Sequence, residues 1–124
     1  MLRKLIVIVV LMSSIISAKV SIAQAPERTL QEYTPQELVH HFAQQYSVDE
    51  HQMLVTMSCE SRFDPDTIGD HNTSFGLSQI HLPAHPEVTK QQALDKVFAT
   101  EFMAKEFAKN NKSIWTCYRL NFKG

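Results

Sequence analysis

The stretch Met57–Asp66, MSCESRFDPD, closes one helical pattern and opens an irregular one, and the fold turns on how it is read. Met53, Met57 and Glu60 stand at i, i+4 and i+7 with Leu54 beside them, which makes one apolar stripe of a helix. Pro65 stops that helix a few residues later. A carboxylate thus sits at the end of its own hydrophobic stripe. Two readings are open. In the plain one, Glu60 lies at a solvated helix end with Arg62 as its partner, although the helix dipole disfavours an anion there. In the other, Met57, Phe63 and their apolar neighbours strip water from the carboxyl. Desolvation and the negative helix end then both raise its pKa. A Glu kept protonated near neutral pH is the general acid that glycosidic-bond cleavage needs.

Upstream, Thr34-Pro35-Gln36-Glu37 is a helix start: a capping Thr, a Pro in the first turn and a Glu completing a capping box. Leu38, Val39, Phe42, Ala43 and Tyr46 form its apolar face. Ser47-Val48-Asp49-Glu50 reads as a second capping box, restarting a helix that carries Met53 to Glu60. Downstream, DPDTIGDHNTS (residues 64–74) is turn chemistry. FGLSQIHL (75–82) is a short extended segment or a single helical turn, broken by PAHP. Thr89 caps a brief helix through Leu94. Asp95 caps a longer one to about Asn110, with Val97, Phe98, Phe102, Ala104 and Phe107 inside. Ser113 is read as the cap of a last short helix with Trp115, Cys117 and Tyr118. The expected class is mostly α, α+β at most, with one irregular excursion.

The N-terminus follows a different pattern. Arg3 and Lys4 precede an apolar run from Leu5 to about Ile16, and small residues follow, which is the layout of a secretory signal peptide. The run is short against the roughly 20 residues of a membrane span. Cleavage is expected after Ala23, since Pro26 disfavours the site at Ala25. The expected organisation is therefore a leader over 1–23, a polar linker over 24–33, and one small domain over 34–124. Loss of Arg3, Lys4 and Lys19 moves the formal charge from −1 to −4. A mildly acidic chain of this size is a poor candidate for nucleic-acid binding. No membrane association is expected once the leader is removed. Export also makes a disulfide between Cys59 and Cys117 the expected state of the two cysteines, rather than two buried thiols.

ESRFDPDTIGDHNTSFGLSQI, residues 60–80, resembles the signature of the lytic transglycosylase and goose-type lysozyme families. Their pattern is Glu-Ser-x-Phe-x-Pro, a turn-rich stretch, then Gly-Leu-(Met)-Gln-Ile. Glu60, Ser61, Phe63 and Pro65 match the first block, and Gly76, Leu77, Gln79 and Ile80 the second. The gap is about one residue longer than usual, and Ser78 stands where Met is common. The late Ala-Tyr-Asn-type motif and late Tyr of these families have no clear equivalent; IWTCYR occupies that end.

The resemblance implies a lysozyme-like fold and cleavage of peptidoglycan (murein) strands without a metal or cofactor. Glu60 would be the catalytic acid and then the base. It would protonate the bond between N-acetylmuramic acid and N-acetylglucosamine, then accept the proton of the muramoyl 6-hydroxyl as a 1,6-anhydro ring closes. Ser61 would support Glu60. Gln79 and the backbone around Ser78 would bind sugar, Phe75 would pack on it, and Tyr118 is a further candidate. Gly76 would give a cleft wall its close backbone approach. A Cys59–Cys117 bridge would hold the acid-bearing helix end against the last helix. Enzymes of this sort, exported to the periplasm or the exterior, serve secretion, conjugation or phage apparatus.

Three rivals stand beside this reading. A muramidase would hydrolyse the same bond using a second carboxylate, for which Asp64, Asp66 and Asp70 are available. A non-catalytic murein-binding module would use the cleft alone. Metal binding is the third, raised by six His. Pro83 argues against a helical His81/His85 pair, His40 and His41 point to different faces, and no HExxH or Cys/His ligand spacing occurs, so no metal is expected.

Overall fold

The computed structural model describes residues 17–19 and 21–123. The expected leader therefore lies for the most part outside the described residues. Among them, no helix is long and apolar enough to cross a membrane.

The described chain is a small, mostly helical domain of α+β type. Its helices are α1 (Pro35–Tyr46), α2 (Glu50–Ser61), α3 (Lys90–Leu94), α4 (Lys96–Ala108) and α5 (Thr116–Phe122). Between α2 and α3 lie three two-residue strands, β1 (Ile68–Gly69), β2 (Ser74–Phe75) and β3 (Ile80–His81), in one antiparallel sheet of order β1-β2-β3. The register sets Ile68 opposite Phe75, Gly69 opposite Ser74, Ser74 opposite His81, and Phe75 opposite Ile80.

Helix α1 starts as its sequence dictates. The Thr34 hydroxyl accepts from the Glu37 N–H at 3.2 Å, and Glu37 Oε2 accepts from the Thr34 N–H at 2.7 Å. Arg28 and this N–H hold the Glu37 carboxyl down at about 2. Leu38, Val39, Phe42 and Ala43 are buried against α4 and α2. Helix α2 differs from expectation at its start. Ser47 is the left-handed cap that ends α1 (φ 53°), and Asp49 is the N-cap of α2, accepting from the Gln52 N–H at 2.9 Å. The acidic side chain one residue before the helix wins over Ser47, whose backbone is already committed to the α1 carbonyls.

Two further boundaries are corrected. The stretch read as a plain linker is structured at its end. Leu30–Glu32 is a 3-10 turn in which Glu32 Oε2 accepts from the Thr29 N–H at 2.6 Å, and Leu30 and Tyr33 pack on the core. A Thr-x-x-Glu pattern was present there too. At the other end, Ser113 lies inside a 3-10 turn, Lys112–Ile114, and α5 begins after Trp115. Asp95 and Thr89 cap as expected, accepting from the N–H groups of Phe98 and Gln92.

The core is one cluster, with Met53 and Met57 of α2, Leu77 and Ile80 of the sheet region, and Ala99 and Met103 of α4 at its centre. Helix α4 buries Ala99, Thr100, Met103, Ala104 and Phe107, so small residues let it pass close to α1. Phe98 and Phe102 lie at the margin of the core rather than inside it. A disulfide joins Cys59 to Cys117, with Cα atoms 5.8 Å apart, and ties α2 to α5.

Candidate active site

Helix α2 ends at Ser61 because Arg62 and Phe63 both turn left-handed (φ 53° and 59°), before Pro65 is reached. Glu60 therefore occupies the last turn, on the same side of the helix as the buried Met53, Thr56 and Met57. It is half-buried in the wall of a cleft of about 500 Å³. Its Oε1 accepts a hydrogen bond from the Cys117 N–H at 3.2 Å. Burial pushes the Glu60 carboxyl above the ordinary value of 4.5, and the negative charge of Asp70 adds to this; the Cys117 N–H and the Arg119 charge act in the opposite direction.

The opposite wall comes from the small sheet. Asp70, His71 and Asn72 all have left-handed backbone (φ 50°, 54° and 66°), a conformation these three residue types tolerate better than most. That tight reversal between β1 and β2 brings Asp70 to the cleft. Asp70 Oδ2 accepts from the buried Ser74 hydroxyl at 2.6 Å, and the Asp70 carbonyl accepts from the Thr73 hydroxyl at 2.6 Å. Both hydroxyl oxygens also face His81 Nδ1, Ser74 Oγ at 3.1 Å and Thr73 Oγ1 at 3.3 Å. With the Ser74 proton given to the Asp70 carboxylate, Ser74 Oγ can accept a hydrogen from Nδ1.

Gln79 reaches the cleft, but its amide nitrogen is committed to the fold. Nε2 donates to the carbonyls of Thr67 and Gly76, each at 3.0 Å, and this pins the β2–β3 turn. Gly69 makes room for it: a Cβ there would lie 2.4 Å from Gln79 Oε1. The remaining site expectations lie elsewhere. Ser61 is buried and donates its hydroxyl to the Met57 carbonyl. The Ser78 side chain is buried and donates to the Ala99 carbonyl at 2.5 Å, and the Ser78 carbonyl accepts from Trp115 Nε1 at 2.7 Å. Phe75 is buried in the core with Lys90 Nζ 5.1 Å from its ring centre. Tyr118 is buried between Phe107 and Phe122. Gly76 does make a close approach, but to helix α3, since a Cβ there would lie 1.8 Å from the Ala93 carbonyl oxygen.

Ser74, His81, His85 and Trp115 line the cleft without having been singled out as its residues. Trp115 is held by its bond to Ser78 and by edge contact with Phe102, at 6.3 Å between ring centres. His81 and His85 share the cleft because the 3-10 turn Leu82–Ala84 folds the chain back between them. Among the described residues, no group of three or more His, Cys, Asp or Glu is placed to hold a metal ion.

Fold and site together define a small helical domain with an acid-bearing cleft between a helix end and a three-stranded sheet. No family model, curated protein or solved structure matches this chain.

Proposed function

We propose that this protein is a murein-cleaving enzyme, a lytic transglycosylase, with Glu60 as its general acid. One observation carries the reading: Glu60 of the first block and Gln79 and Ile80 of the second line a single cleft, where Glu60 is half-buried with its carboxyl pushed up by burial. A carboxyl in that state holds its proton for a leaving sugar oxygen and releases it as positive charge grows on the ring. A small sheet flanking an acid-bearing helix end supports the lysozyme-like fold expected from the same residues. The leader pattern and the disulfide support export to the periplasm or exterior. Murein strands are the proposed partner, in the service of a secretion, conjugation or phage apparatus.

Hydrolysis remains the second reading, because Asp70 lines the same cleft as Glu60. Digestion of purified murein, followed by mass analysis of the fragments, separates the two: 1,6-anhydro ends mark a transglycosylase and reducing ends a muramidase. Glu60→Gln is expected to abolish cleavage while leaving co-sedimentation with murein intact. A wild-type protein that binds murein and cuts nothing would instead identify a binding module.

A further inference from the structure

We propose that His81 is a second catalytic residue of this cleft, a general base whose tautomer is set by Ser74 and Asp70. The inference rests on the murein-cleaving reading. It gives to His81 the proton-accepting half of the reaction, which the family resemblance would leave to Glu60.

The observation behind it is a relay that packing alone does not require. Ser74 is 1% exposed, yet its hydroxyl is spent on linking an exposed carboxylate to an exposed imidazole. The β2–β3 register sets Ser74 and His81 directly opposite, so the contact is built into the sheet. Both hydroxyls that face Nδ1 have a proton acceptor on Asp70, and this favours hydrogen on Nδ1. The neutral ring must then carry its lone pair on Nε2, which has no hydrogen-bond partner among the described residues. His81 lines the same cleft as Glu60. An imidazole whose Nδ1–H is held by a carboxylate-linked acceptor, with Nε2 left as an acceptor itself, is oriented to take a proton. Asp70 Oδ2, already engaged by Ser74, then acts through the ring.

The step balances as follows. The attacking O–H gives its proton to Nε2, and its oxygen pair forms the bond to the anomeric carbon. The bond from that carbon to the departing sugar breaks, and the departing oxygen takes the Glu60 proton. The imidazolium then loses one proton to solvent and the Glu60 carboxylate regains one. The attacking hydroxyl is either water or the muramoyl 6-hydroxyl, and the two products differ by one water.

The test uses the full chain with wild type, His81→Asn, His81→Gln and Ser74→Ala on purified murein. Asn keeps an N–H near the Nδ1 position and loses the Nε2 acceptor. Its kcat is expected to fall about a hundredfold, the lower range for a general base, with KM and murein co-sedimentation unchanged. Gln, which lacks a comparable basic nitrogen, should fall as far. Ser74→Ala should lower kcat by a smaller factor, and nitrogen NMR of wild-type His81 should show the Nδ1–H tautomer. Retention of kcat within twofold by both His81 variants overturns the inference and leaves the murein reading standing. So does an Nε2–H tautomer in the wild type, or a loss confined to KM. Absence of cleavage by the wild type overturns both. Mass analysis of the fragments identifies which hydroxyl attacks.

Discussion

Glu60 is held between opposing influences, and their balance is measurable. Burial and Asp70 favour its neutral form; the Cys117 N–H and Arg119 favour its anion, and burial is the largest of the four. An acid catalyst is active while protonated, so the falling limb of the pH–rate profile should lie above the ordinary carboxyl value of 4.5. Stability carries the same sign. The folded-state pKa is raised, so the stabilisation from protonated Glu60 is complete below the unfolded value and is lost as pH rises through the raised one. Glu60→Gln cannot ionise. Its melting temperature should therefore match the wild type in acid and exceed it by a margin that opens from about pH 4.5 and levels off above the raised value; a pH-independent difference would contradict the assignment. A second residue-scale expectation concerns Thr56, in the middle of α2. Its Oγ1 is the buried side-chain polar atom left without a hydrogen-bond partner among the described residues. Thr56→Val keeps the branched shape and removes that cost. Stability should rise by about 1 kcal/mol in chemical denaturation.

At the scale of elements, the β2–β3 hairpin and α3 are fitted by a single missing side chain. Gly76 has φ 79°, and a Cβ there would lie 1.8 Å from the Ala93 carbonyl oxygen. Gly76→Ala combines a left-handed penalty with an overlap against backbone. Destabilisation of about 3 kcal/mol is expected, read from the denaturation midpoint. Gly76 was legible as a close-approach residue, but what it approaches was not: one chain segment does not say which helix returns beside it. The same limit explains Ser78 and Phe75. Phe75, directly before the second block, faces the core, and the Ser78 carbonyl is taken by Trp115 Nε1, because the two-residue periodicity of a short strand is masked by the turn that interrupts it. Capping, by contrast, is a local competition, and Thr34, Thr89 and Asp95 were legible for that reason. Ser47 failed as a cap because Asp49, two residues later, offers a carboxylate to the same helix.

Across the whole molecule, the disulfide links the site to the end of the chain. Cys59 and Cys117 are 58 residues apart, and the loop they close contains the sheet, α3 and α4. Loss of the bridge in Cys59→Ser with Cys117→Ser should cost about 4 kcal/mol by the loop-entropy relation. It should also lower activity in protein that remains folded, since the Cys117 N–H that holds Glu60 Oε1 belongs to the helix the bridge secures. Denaturation and murein turnover on the same preparation check both. The sequence by itself determined the helix order, most of the caps, the acid at the end of an apolar stripe and the cysteine pair, because periodicity, capping and composition act over a few residues or on the whole chain at once. Only the tertiary structure decided which side chains share the cleft. It brought Asp70, Ser74, His81 and Trp115 to Glu60 and turned Ser61, Phe75 and Tyr118 inward, because the facing wall comes from other elements whose side-chain directions are set by packing.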